Sequence, residues 1–166
     1  MKQAIYYGVF HSISAFCNAG FSLFSNNLEN YKDNVVINLT IGYLITLGGI
    51  GFAVITSVVT VVRKRIDRFN LTSKVAILVS LILTVVGMIL FFALEYSNPD
   101  TLGNLSFFQK FIASYFQSVT LRTAGFNTIP LGHLRSATIF ISCILMFIGA
   151  SPGSTGGGIK IGRAHV

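Results

Sequence analysis

Charge is scarce in this chain of 166 residues. Asp, Glu, Lys and Arg make up 10% of it, five acids against twelve bases. A soluble domain carries about a quarter charged residues. With hydrophobic residues at 52%, too little polar surface is left to keep a soluble fold in solution, and the composition points to an integral membrane protein. The apolar runs hold no cluster of His, Asp and Glu, which excludes an enzyme with a membrane-embedded site. Cysteine is rare too: Cys17 and Cys143 make no disulfide framework or metal-ligand pattern. Cys143 lies inside an apolar run and is expected to be a small packed residue. The scattered His11, His133 and His165 make no metal site. The first residues lack the charge pattern and cleavage site of a signal peptide. They open almost directly into a polar motif, as expected of a chain cut from a longer protein.

The net charge of +7 is concentrated. Arg63, Lys64, Arg65, Arg68 and Lys74 share one short segment with Asp67. No aromatic-interleaved basic surface accompanies them, so a nucleic-acid partner is not expected. Basic residues between apolar runs mark a cytoplasmic loop, and 63–74 is read as that loop. Residues 95–105 hold Glu95 and Asp100 and no base, which places them on the opposite side.

Two segments are long enough to cross a membrane. Residues 35–62 carry no charge; as one helix they would reach roughly 40 Å against a hydrocarbon core of about 30 Å. Within them, Leu47-Gly48-Gly49-Ile50-Gly51-Phe52 allows either close approach of another backbone or a kink. Residues 75–96 form a second span. Residues 3–17 and 106–120 are too short to cross and are read as half-membrane, re-entrant helices. The chain thus divides into a short helix with polar loop (1–34), a span (35–62), a basic loop (63–74), a span (75–96), an outer loop with a second short helix (97–133), and an interrupted span (134–160). The expected fold class is an all-α polytopic membrane protein built from repeated span–pore-loop–span units.

A motif recurs at the ends of the two short helices. Phe10-His-Ser-Ile-Ser-Ala-Phe-Cys-Asn-Ala-Gly-Phe21 and Phe116-Gln-Ser-Val-Thr-Leu-Arg-Thr-Ala-Gly-Phe126 both read F-x-S-[IV]-[ST], a short spacer, then Ala-Gly-Phe. A single copy would read as a plain turn; two copies in equivalent places favour a permeation element. A cation leaving water needs oxygen dipoles in place of its hydration shell. Backbone carbonyls supply them where a glycine permits an otherwise disfavoured dihedral, and a short helix ending there directs its negative dipole end at the ion. Gly20 and Gly125 meet that requirement.

A third element is Gly149-Ala-Ser-Pro-Gly-Ser-Thr-Gly-Gly-Gly-Ile-Lys160. It is not a nucleotide-binding loop, because Lys160 follows Ile159 and the preceding segment is apolar. Pro152 and three consecutive glycines instead break a helix. Irregular backbone at membrane depth must face water or protein.

Taken in order, FHSISAFCNAGFSLF (10–24), LGGIGF (47–52), SVTLRTAGFNTI (118–129) and GASPGSTGGGIK (149–160) cover nearly the whole chain. Together they resemble the membrane subunit of the Trk/Ktr/HKT potassium uptake systems, closest to the bacterial Ktr and Trk types. The resemblance implies four span–pore-loop–span units around one pseudo-symmetric pore, with a filter glycine in each. It makes Asn18, Ala19, Gly20 and Phe21 the second filter segment and Thr123, Ala124, Gly125 and Phe126 the third. Arg122 is expected to point away from the ion path, binding carbonyls at the helix end or a carboxylate; Leu121 stands where the family often has proline. Ser151, Pro152, Gly153, Ser154, Thr155, Gly156, Gly157 and Gly158 become an intramembrane gate loop, with Lys160 accessory.

Potassium is then the transported substrate, with possible sodium dependence and no cofactor held by the chain. The implied partners are lipid, a second copy of the full-length subunit and a cytoplasmic ring of nucleotide-binding regulatory subunits, in a bacterial plasma membrane. The alternatives are a sodium-permeable member of the same superfamily and a truncated, non-conducting subunit with a structural or assembly role. Residues 161–166 depart from the family. Their sequence is what ATC GGA AGA GCA CAC GTC encodes, a common sequencing-adapter read, so they are expected to be non-native; other codons in the nucleotide record would refute this.

Overall fold

The computed structural model describes residues 2–63 and 71–160. The core of the basic loop, including Lys64, Arg65, Asp67 and Arg68, and the tail at 161–166 lie outside the described residues. The described ones are helical, as expected, with a lone pairing of Ile148 and Ile159 as the β-type contact. The helices are α1 (Lys2–Phe16), α2 (Val35–Ile50), α3 (Phe52–Val62), α4 (Leu71–Glu95), α5 (Phe107–Thr120) and α6 (Ser136–Phe147).

Local chemistry sets several of these ends. Asn34 caps α2 by accepting from the Ile37 N–H at 3.1 Å. Ser106 and Gln109 form a reciprocal capping box at the start of α5. The α6 start has no capping side chain of its own. Glu95, the last residue of α4, serves instead: its carboxylate accepts from the Arg135 N–H at 3.0 Å and from the Thr138 hydroxyl. A negative group at a helix N-terminus is favoured by the helix dipole.

Two sequence boundaries change. Leu71–Lys74, assigned to the basic loop, are the first turn of α4. The segment 35–62, read as one span with a kink as the other possibility, is two helices meeting at 98°. The corner is Gly51, at φ 93°. A β-carbon there would lie 2.8 Å from the Pro152 carbonyl oxygen, so the turn needs glycine for both its dihedral and its space. The Phe52 N–H, which begins α3, donates to the Gly153 carbonyl at 3.2 Å.

Helix α4 has the length and composition of a membrane span. Its Leu78, Leu81, Ile82, Val85 and Ile89 are exposed, as are Ile139, Phe140 and Phe147 of α6. Apolar faces this broad suit lipid or further protein rather than water.

Helix α5 is the buried centre. One face joins Ala15, Ile41, Ile45 and Phe126 in a core that includes Phe116 and Val119. The other places Ala113 with Phe91, Leu102, Ile129 and Leu145. It runs antiparallel to α4: Lys110 Nζ reaches the Tyr96 carbonyl at 2.9 Å, and the Ser118 hydroxyl donates to the Thr84 carbonyl at 2.7 Å. From Glu95 to Ser80, level with the end of α5, is about 22 Å at 1.5 Å per residue. The chain then returns, since Arg135 is bonded to Glu95 again. Residues 107–135 thus make an excursion partway along α4 and back.

Candidate functional site

Both short helices end in the same way. After α1, the Ala19 N–H donates to the Ser14 carbonyl at 2.9 Å; after α5, the Ala124 N–H donates to the Thr120 carbonyl at 3.0 Å. The hydroxyls of these same two residues reach forward. Ser14 Oγ donates to the Phe21 carbonyl at 2.9 Å, and Thr120 Oγ1 to the Phe126 carbonyl at 2.7 Å. The repeated [ST] of the motif thus closes a loop around each Ala-Gly-Phe. Sequence reasoning assigned it no role, although a hydroxyl at the same place in both copies was the signal.

Within the loops, Asn18 and Gly20 lie at φ 51° and 70°, Thr123 and Gly125 at φ 76° and 84°. In both copies the glycine and the residue two before it occupy the left-handed region, which is disfavoured for ordinary side chains. The two loops also meet. A β-carbon on Gly20 would overlap the Ala124 carbonyl oxygen and lie 2.9 Å from the Gly125 α-carbon. The glycines of segments a hundred residues apart are therefore in backbone contact. Further out, the Leu28 N–H donates to the Asn127 carbonyl at 2.9 Å, and the Asn127 N–H to Asn27 Oδ1 at 3.2 Å. The two phenylalanines differ: Phe126 is fully buried, whereas Phe21 is exposed.

A cavity of about 370 Å³ borders α1, lined by Tyr7, His11, Phe24, Leu28 and Tyr31 among others. A second, of about 390 Å³, is lined by Asn18, Ala19, Thr123, Ala124, Gly125 and Gln117. It brings residues of both Ala-Gly-Phe loops to one space.

The Gly-rich segment sits beside these loops. Its neck is closed where the Ala150 N–H donates to the Gly157 carbonyl and the Gly149 N–H to the Ile159 carbonyl, both at 3.1 Å. Lys160 Nζ donates across it to the Ser154 carbonyl at 3.1 Å. One side rests on the α2–α3 corner: the Ser151 N–H donates to the Gly49 carbonyl at 3.1 Å and the Thr155 N–H to the Gly48 carbonyl at 3.3 Å. The other side reaches the Ala-Gly-Phe loops. Thr155 Oγ1 donates to the Phe16 carbonyl, and the Gly157 N–H donates to Thr123 Oγ1, each at 3.0 Å. The Asn18 amide, turned to satisfy both of its ends, donates to the Ile45 carbonyl and accepts from the Gly49 N–H, both at 3.2 Å.

Arg122 turns toward α4, where Nη2 donates to Ser80 Oγ at 2.8 Å. Its partner among the described residues is a hydroxyl rather than the expected carbonyl or carboxylate. Close packing explains this, because Gly87 of α4 lets Ser118 approach and so brings Ser80 within reach. Leu121 donates its N–H to the Gln117 carbonyl at 3.0 Å, a bond that proline could not make. Cys143 is exposed rather than packed. Glu95 was read only as a loop charge. It is fully buried and also accepts from Asn98 at 2.6 Å and Thr101 at 2.7 Å. No cluster of metal-ligating side chains occurs among the described residues.

Comparison with known proteins gives this geometry a family. The sequence profile of TrkH, described as a cation transport protein, matches residues 2–166. The chain is 46% identical over 160 residues to the Ktr system potassium uptake protein B of Bacillus subtilis, covering 96% of this chain and 36% of that protein. It is 40% identical to the protein of the same name from Vibrio alginolyticus, over 96% of this chain and 35% of the relative. It is 37% identical to the potassium/sodium uptake protein NtpJ of Enterococcus hirae, over 95% of this chain and 34% of the relative. The chain thus spans about a third of the length of the curated relatives it matches. The crystal structure of the potassium transporter TrkH from Vibrio parahaemolyticus shares the fold, with a TM-score of 0.74 at 23% identity, covering 93% of this chain and 32% of that one. These are membrane transporters rather than enzymes, and the chain belongs to the TrkH family of cation transport proteins.

Proposed function

We propose that this chain forms part of a potassium-permeation pathway. Asn18–Phe21 and Thr123–Phe126 are two segments of a carbonyl-lined selectivity filter, and Ser151–Gly158 with Lys160 is the gate. The observation that carries this reading is the contact between Gly20 and Gly125, two left-handed glycines at the ends of two half-length helices. Carbonyl oxygens along such segments replace the water around a partly dehydrated cation. The C-terminal ends of α1 and α5 add their negative dipole ends. Ser14 and Thr120 hold the loop carbonyls in place, and Arg122, engaged by Ser80, braces the filter from behind.

Potassium is the substrate, not a resident cofactor, and sodium modulates its flux. The curated relatives are named for potassium uptake. Under the positive-inside rule, 63–74 is cytoplasmic and the outer loops face the exterior of a bacterial plasma membrane. The family resemblance adds a dimer of full-length subunits and a cytoplasmic nucleotide-binding ring. A sodium-permeable pathway is the second reading, favoured by the potassium/sodium name of the Enterococcus relative. A third reading is a structural or assembly role rather than conduction.

The test uses a full-length subunit carrying this sequence, in cells lacking potassium uptake. Growth on low potassium, abolished by Gly125→Leu, is the expected result; a well-expressed subunit that fails to rescue growth refutes the transport reading. Deleting Ser151–Gly158 should raise flux, and unchanged flux in a correctly inserted variant removes the gate assignment.

A further inference from the structure

We propose that Thr123 and Thr155 form a two-point latch that ties the Gly-rich loop to one filter segment and to the end of the half-length helix that leads into the other, making them positioning residues for permeation. The inference rests on the filter and gate reading above and goes beyond it, because it makes the two parts mechanically dependent.

Thr123 is the first point. A β-branched residue at φ 76° is in a conformation that its side chain disfavours. Glycine would adopt it freely. What threonine adds is Oγ1, and Oγ1 accepts from the Gly157 N–H at 3.0 Å. The neighbouring loop residue is fitted to the same hydroxyl: a β-carbon on Gly156 would lie 2.7 Å from Thr123 Oγ1 and 2.5 Å from the Ala150 β-carbon. The loop meets the hydroxyl with bare backbone.

Thr155 is the second point. Phe16 is the last residue of α1, so its carbonyl is one of the acceptors that a helix end leaves without an internal partner. Thr155 Oγ1 donates to it at 3.0 Å. Gly48 makes room, since a β-carbon there would overlap the Phe16 carbonyl oxygen and lie 2.9 Å from Thr155 Oγ1. The loop's bonds to Gly48, Gly49 and Phe52 are between backbone groups and hold it to the α2–α3 corner whatever its side chains. The two threonine hydroxyls instead tie it to one filter segment at Thr123 and to the end of α1 just before the other. Displacing the loop removes a partner from Thr123, one residue before Ala124 and two before Gly125. A rearranged filter in turn loosens the loop.

Hydrogen–deuterium exchange of the full-length subunit in lipid nanodiscs tests this, with potassium flux measured in parallel. Thr123→Val and Thr155→Val keep shape and lose the bond; Thr123→Ser and Thr155→Ser keep the hydroxyl. The valine variants should speed exchange of the peptide covering 149–160 roughly fivefold, the effect of one hydrogen bond, and raise flux. The serine variants should match the parent in loop exchange. Exchange in α4 serves as the folding control. Unchanged loop exchange in a folded Thr123→Val variant overturns the latch, whatever the flux does. Faster loop exchange with unchanged flux leaves the latch standing and removes the gate assignment instead.

Discussion

Gly20 and Gly125 are in backbone contact: a β-carbon on Gly20 would overlap the Ala124 carbonyl oxygen, whereas one on Gly125 would lie 3.5 Å from the Gly20 α-carbon. The contact is unequal, and the inequality is testable. Gly20→Ala meets both a steric overlap and the left-handed dihedral. Gly125→Ala meets only the dihedral, which costs about 1–2 kcal/mol. In the full-length subunit, Gly20→Ala should therefore abolish potassium uptake while Gly125→Ala retains a measurable part. Equal losses would show that the contact does not limit the site.

The paired hydroxyls of Ser14 and Thr120 predict a selectivity phenotype. Thr120→Val preserves volume and removes the 2.7 Å bond to the Phe126 carbonyl. It should cost about 1 kcal/mol of stability and lower the potassium-to-sodium permeability ratio. Thr120→Ser should restore both. Selectivity unchanged in Thr120→Val would separate the hydroxyl from the filter.

Gly51 predicts a coupled defect. Gly51→Ala strains φ 93° and places a β-carbon 2.8 Å from the Pro152 carbonyl oxygen. The corner and the loop seated on it should loosen together. Thermal unfolding in detergent should show a lower midpoint, and amide exchange should rise in both 49–53 and 151–155. A rise confined to one of the two would show that they move separately.

Glu95 predicts a stability effect remote from the ion path. Its oxygens accept from Asn98, Thr101, Thr138 and the Arg135 N–H. Glu95→Gln keeps the shape but turns an NH2 group toward donors, leaving at least one unpaired. A loss of about 2 kcal/mol is expected, read as a lower thermal midpoint with selectivity preserved in the folded fraction. A midpoint equal to the parent's would mean that the carboxylate is dispensable at the α6 start.

Much of this architecture was legible in the chain. The half-length helices ended where Ala-Gly-Phe occurs, because an apolar run too short to cross must turn back. The Gly-rich break was legible because proline and consecutive glycines oppose a helix over any neighbour. The α2–α3 corner was less so. Residues 35–62 carry no charge, and hydropathy reads straight across a glycine. Gly51 becomes a right-angled turn through contact with Pro152 and Gly153, a hundred residues away. Glu95 left only a faint signal, a lone acid ending a long apolar run. Its donors come from four later positions, and two of them, Arg135 and Thr138, lie about forty residues on, where no local pattern connects them. Arg122 was legible as a residue needing a partner, but Ser80 becomes that partner only through the packing of α4 on α5.

The sequence by itself determined the membrane class, the helices and their breaks, since hydropathy and dihedral preference act within a few residues. Tertiary structure decided which breaks touch: Gly20 against Gly125, Thr123 against Gly157, Gly51 against Pro152. Those contacts join segments far apart along the chain, and close packing at glycines, rather than any local preference, selects them.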